Sequence, residues 1–141
     1  MRYETSVRIH APAELVWTVL RDVADWPAWT STVDELHRLD DGPLAVGNKA
    51  RLKQPKMNTL VWEVTELEPD RSFVWRTGGP GYGVVAGHYV TPDDDSGSRA
   101  VLTLEMTGLL APLLGLLTGA RSRRYVDTEA ASLKRRCEQR A

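Results

Sequence analysis

The chain opens on a two-residue period. Tyr3, Thr5, Val7 and Ile9 share one side, and Glu4, Ser6 and Arg8 the other, which is the pattern of a half-buried strand. Pro12 then suits the first turn of a helix, and Val16, Leu20 and Val23 recur at helical spacing behind it. In Asp22 to Trp29, Asp25 is placed to cap a short turn and Pro27 forbids a long helix. From residue 31 the two-residue period returns. Strands are predicted at Thr32–Leu39, Lys49–Gln54, Thr59–Leu67, around Phe73 and Trp75, at Tyr82–Thr91, and from Ala100 to Met106. Turn residues separate them at Asp40–Pro43, Gly47-Asn48, Glu68–Asp70, Gly78–Gly81 and Pro92–Gly97. Gly83 and Gly87 weaken the strand that holds them.

After Gly108 the period changes again. Pro112 to Arg140 contains no further proline, and Val126, Ala130, Leu133 and Cys137 form a stripe at four, three and four. This predicts a long helix, with Gly115 and Gly119 weakening its first part. The order is strand, one or two short helices, six strands, long helix. Short turns make the sheet antiparallel, and helices gathered to one side make the class α+β. No repeat or linker divides residues 1–141, so one domain is expected.

Composition removes several function classes. A single cysteine, Cys137, excludes a disulfide framework and a thiolate zinc cluster. His10 and His37 have no second ligand at metal spacing, so no metal is expected. A net charge of -1 argues against a chain-wide grip on nucleic acid. That balance hides a split: residues 121–141 carry seven basic and three acidic side chains, net +4, against -5 for the remainder. The basic terminal helix reads either as a solvated face or as a contact for anionic lipid or an acidic partner. No signal-peptide core opens the chain, and its longest apolar stretch, Leu109–Leu117, is too short to cross a bilayer. A cytoplasmic protein without stable membrane insertion is expected, as monomer or homodimer. The chain also lacks a nucleophile elbow, a dinucleotide fingerprint and a phosphate-binding lysine loop, so no cofactor is expected.

Several segments, in order, carry a resemblance. They are Ile9–Trp17, Trp26-Pro27-Ala28-Trp29, Val61-Trp62-Glu63-Val64, Leu67-Glu68-Pro69, Gly87-His88-Tyr89-Val90 and Gly97–Thr103. The chain resembles the START-like (SRPBCC) superfamily, and within it the polyketide cyclase/dehydrase-like branch. The resemblance covers nearly the whole chain. It implies a helix-grip fold, with a curved antiparallel sheet of about seven strands around a long C-terminal helix and a cavity between them. It also implies an apolar small-molecule ligand, such as a lipid or polyketide.

If the sheet wraps the helix, the inward faces contribute Ala50, Leu52, Leu60, Trp62, Val64, Phe73, Trp75, Ala100, Leu102, Leu104 and Met106. These either line a ligand cavity or simply fill the core. Ala86, and Leu113 and Leu117 from the helix, join the candidate ligand wall. Trp17 reads as core. Trp62 and Trp75 read either as a flat aromatic wall or as a stacked pair. Trp26, Trp29 and Met57 read either as an entrance or as a hydrophobic plug under a loop, and Gln54 and Tyr125 could orient a polar end of the ligand. His88 is either a general acid/base in the cavity, a hydrogen-bonded core histidine, or solvent-facing with Tyr89 inside. Three functions follow. The first is binding, with possible carriage, of a hydrophobic small molecule. The second is a cyclase or dehydratase that uses His88. The third, a protein-interaction module, is weakened by the solvated outer faces.

Overall fold

The computed structural model describes residues 1–93 and 96–141. Asp94 and Asp95, inside the turn expected at 92–97, lie outside the described residues. Strand β1 (Arg2–Ile9) leads into helix α1 (Ala13–Arg21) and a 3-10 turn (Val23–Ala28). Strands β2 (Glu35–Arg38), β3 (Lys49–Lys53), β4 (Leu60–Glu68), β5 (Ser72–Gly79), β6 (Tyr82–Pro92) and β7 (Ser98–Thr107) follow, then helix α2 (Ala111–Arg140). They form one antiparallel sheet in the order β1-β7-β6-β5-β4-β3-β2. Each strand from β2 to β7 pairs with its neighbour in sequence, and β1 closes the far edge against β7.

The sheet curls because its strands do not pair uniformly. Between Val64 and Glu66 the β4–β5 register shifts, leaving Thr65 as an extra residue whose hydroxyl donates to the Val74 carbonyl at 3.3 Å. Such a bulge bends its strand and tightens the local twist. In β6 the two glycines do not interrupt the strand. A side chain at Gly87 would collide with the Tyr89 ring and the Thr103 hydroxyl, so the tyrosine lies over the glycine on the outer face. That decides which side β6 presents: Tyr89 is 38% exposed, while His88 and Val90 are buried.

Helix α2 behaves as two halves. In the second half the predicted stripe of Val126, Ala130, Leu133 and Cys137 is buried throughout. Polar ties hold this half to the start of the chain. The Tyr3 hydroxyl donates to Asp127 at 2.7 Å, which holds that phenol above its usual range. The His10 backbone N–H donates to Glu138 at 2.9 Å, and Lys134 bridges Glu138 at 2.6 Å and the Arg8 carbonyl at 3.0 Å. Lys134 first, and the His10 amide second, hold Glu138 below the usual carboxylate range. Arg136 pairs with Asp25 at 3.2 Å. The basic end of the helix is therefore not merely a solvated face.

Two local expectations change. The strand expected at 32–39 begins only at Glu35. Thr30 and Thr32 pair their buried hydroxyls at 2.9 Å and turn the chain first. Asp25 makes no capping bond; its carboxylate goes to Arg136 instead.

Candidate functional site

A cavity of ≈ 370 Å³ lies between the sheet and the first half of α2. It exists because the facing side chains are small. Ala86 on β6 and Thr118 and Ser122 on α2 line it, and several larger residues there would fill the space. Further along the helix, Val126, Ala130 and Leu133 do close it. Leu52, Leu60, Trp62, Trp75, Leu102, Leu104 and Met106 supply the apolar walls. Trp62 and Trp75 lie 5.8 Å apart at 38°, so they make a canted wall rather than a flat one.

The two ends differ. At the outer end lie Lys56, Met57 and Asn58 of the loop between β3 and β4, with Tyr82 and Arg121. That loop is fastened to α2: the Tyr125 hydroxyl donates to the Pro55 carbonyl, and Arg121 reaches the Lys56 carbonyl at 3.4 Å. Gln54 also lines this end. Tyr125 is on the wall, but its hydroxyl is committed to the loop.

At the inner end stand Trp26 and His88, both at least 97% buried. Trp26 packs on Trp29, Phe73, Trp75 and the His88 ring, and its indole N–H donates to the Leu20 carbonyl at 3.0 Å. The His88 ring stacks on Phe73 with centroids 4.2 Å apart. Its Nδ1 lies 3.2 Å from the Phe73 carbonyl oxygen. A carbonyl can only accept, so Nδ1 carries a proton. Nε2 then faces Glu129 Oε1 at 3.6 Å. Oε1 is sealed from solvent and has no hydrogen-bond partner. A neutral imidazole nitrogen and a carboxylate oxygen are both acceptors, so the contact is favourable only when one of them holds a further proton. The pair stands at the closed end of an apolar cavity.

Several sequence-derived candidates fall elsewhere. Trp26 is the floor of the cavity, not its entrance. Trp29 is buried behind Trp26 and faces a separate polar crevice with Ser132, Arg135, Arg136 and Gln139. Phe73 and Val64 are fully buried and do not reach the cavity: Phe73 is stacked beneath His88, and Val64 belongs to the core cluster. Leu113 and Leu117 point outward, 53% and 72% exposed, and Leu114 takes the inward position. Glu129, counted from sequence only as one of the acids of the terminal helix, faces the cavity.

A family model described as polyketide cyclase/dehydrase and lipid transport matches residues 1–138. The chain belongs to that family. The fold of this family member recurs widely in solved structures. The Zhui aromatase/cyclase from Streptomyces sp. R1128 superposes with a TM-score of 0.81 at 20% identity, over 99% of this chain and 94% of that one. A hypothetical protein from Helicobacter pylori gives 0.82 at 17%, over 97% and 88%. The di-domain aromatase/cyclase BexL gives 0.72 at 16%, over 96% of this chain and 45% of that one. No curated protein matches the chain. At these identities the likeness establishes the helix-grip fold of the family member, and its site must be read from its own residues.

Proposed function

We propose that this protein binds an apolar small molecule in the cavity between α2 and the sheet. The observation that carries the reading is the ≈ 370 Å³ space walled by Trp62, Trp75, Leu102, Leu104 and Met106. Enclosed sites of roughly 300–1,000 Å³ with apolar walls and a few convergent polar groups are typical of small-molecule binding. The family description and the aromatase/cyclase neighbours point to the same ligand class. Native mass spectrometry of the purified protein, with solvent extraction, tests it. Retention of an apolar compound is expected. A protein that carries nothing, and that excludes every apolar fluorophore offered, overturns it.

One observation favours a second, catalytic step at the same site: the sealed contact between His88 and Glu129. On a poly-β-ketone chain, the pair in its unprotonated form takes a proton from the carbon between two carbonyls. That carbon then attacks a third carbonyl, whose oxygen recovers the proton as a hydroxyl. In a later step the pair takes the remaining proton from that same carbon and passes it to the hydroxyl; a C=C bond forms as the C–O bond breaks, and the hydroxyl leaves as water. The apolar floor keeps competing water away. Replacing His88 with Asn, or Glu129 with Gln, is expected to cut turnover of such a substrate by about 10²–10⁴-fold. Ligand retention should survive both changes. Full turnover in both variants removes the catalytic reading and leaves the binding one standing.

A further inference from the structure

The first half of α2 buries little of its own apolar surface. Leu109, Leu113, Leu116 and Leu117 are 94%, 53%, 83% and 72% exposed, and Leu110 beside them is 46% exposed. This is the strand-to-helix corner at the outer end of the cavity, next to Tyr82 and the loop of Lys56 and Met57. A contiguous exposed leucine ridge is unusual on a soluble surface and marks a contact that the isolated molecule leaves unmade.

The charge around the ridge says what would cover it. The three segments that converge on the cavity mouth are 54–59, 77–82 and 107–126. They contain Lys56, Arg121, Arg123 and Arg124 and not one acidic residue. Further along the helix Lys134 pairs with Glu138, and Arg136 and Arg140 with Asp25, while Arg135 is exposed. Among the described residues no carboxylate lies in salt-bridge range of Arg121, Arg123 or Arg124. Arg123 and Arg124 are exposed, one to two turns beyond Leu117 on the same helix. A second copy of the chain packed two-fold on this ridge would bring like arginine clusters together, which opposes association. An anionic lipid surface satisfies both parts at once. The leucines enter the acyl boundary, and the guanidinium groups stay at the phosphate level.

We propose that the Leu109–Leu117 corner of α2, with Arg121, Arg123, Arg124 and Lys56, docks the protein on anionic bilayers with the cavity mouth facing the lipid. The docking stands independently of what the cavity holds. Only the passage of a ligand between bilayer and cavity rests on the binding function proposed above.

Co-sedimentation of the full chain with vesicles tests the docking, with no ligand added. One set is phosphatidylcholine alone and the other is a mixture of phosphatidylcholine and phosphatidylglycerol. Binding is expected to the mixed vesicles, weakening as salt rises. Leu116→Glu with Leu117→Glu should reduce it by more than about tenfold, since both side chains are already solvent-exposed and would lose only the lipid contact. Arg123→Gln with Arg124→Gln should reduce it by about 30-fold, from roughly 1 kcal/mol per basic residue near an anionic surface. Circular dichroism confirms that each variant is folded. The proposal is overturned by a wild-type chain that ignores mixed vesicles at low salt, or by leucine variants that bind as well as wild type. It is equally overturned if analytical ultracentrifugation shows a dimer that the leucine changes dissolve, because the ridge is then a subunit interface.

Discussion

Replacing Ala86 with leucine separates an open cavity from a filled core by the sign of its effect. Ala86 points inward from β6, paired with Trp75 on β5 and Leu104 on β7, and lies on the cavity wall. Leucine adds three carbon atoms. Burial stabilises by about 0.8 kcal/mol for each, or ~2.4 kcal/mol as an upper figure. Fixing the new rotamer costs ~0.5–1 kcal/mol. The cavity is far larger than the added atoms, so no neighbour must move. The net expectation is ~1.5 kcal/mol of added stability, a rise in Tm of about 5 °C for a domain of this size. Binding of an apolar fluorophore should weaken in parallel, since the side chain occupies ligand space. Urea titration gives the free energy, and an unchanged slope confirms that the native state is as compact as before. A densely packed interior gives the opposite sign, a loss of ~1–3 kcal/mol from overpacking. A lowered Tm together with unchanged fluorophore binding refutes the cavity argument.

Other predictions follow from single contacts. Tyr125→Phe removes the hydroxyl that holds the Pro55 carbonyl, so loop 54–59 should open more readily. A bond of ~0.5–1.5 kcal/mol corresponds to ligand release faster by up to about tenfold, read by stopped-flow displacement, with a stability change too small to account for it. The Cys137 thiol is fully buried and burial pushes its pKa up to about 12, so Ellman's reagent at pH 8 should label it only in denaturant. Glu138 is held below the usual carboxylate range, chiefly by Lys134, so its stabilisation is present above its unfolded pKa and is lost as pH falls through the folded one. Glu138→Gln should therefore destabilise at pH 7 by less than ~1 kcal/mol, the ion pair being partly exposed, and the difference from wild type should vanish in acid. Urea midpoints measured from pH 7 down to about pH 2 check this.

Much of the fold was legible because strand period and turn chemistry are local signals. The alternation of Lys49–Gln54 and of Ala100–Met106, and the turns between strands, required nothing beyond the neighbouring residues. The site was legible only where a residue's face follows from that same parity, as for Trp62, Trp75, Leu102 and Leu104. It failed where the face depends on helix phase. Leu113 and Leu117 are apolar and fall in the cavity's half of the helix, yet the stripe of Val126, Ala130, Leu133 and Cys137 sets the phase of the helix. Counted backward in steps of four from Val126, it arrives at Ser122, Thr118 and Leu114 and leaves Leu113 and Leu117 outside. The same count places Glu129 three residues after Val126 and four before Leu133, at the margin of the buried stripe. An acid there was a signal available in the sequence. Trp26 and Trp29 illustrate a different limit. Their side of the fold is set by how the 3-10 turn packs on β5 and β6, and no local pattern reports that.

The placement of β1 also sets an order of events. Strands β2 to β7 pair with sequence neighbours, so their hairpins can form as soon as each turn has been made. The first strand cannot. Its partner is β7, and Arg2 meets Glu105 across 103 positions of chain. During synthesis Tyr3, Val7 and Ile9 therefore wait, their apolar face uncovered, until the last strand has emerged. Closing that loop is slow relative to hairpin formation. The terminal helix then seals the joint from the other side, through Asp127, Lys134 and Glu138. Strand β1 and helix α2 thus commit together, and a chain cut short before α2 would leave β1 paired but unlocked.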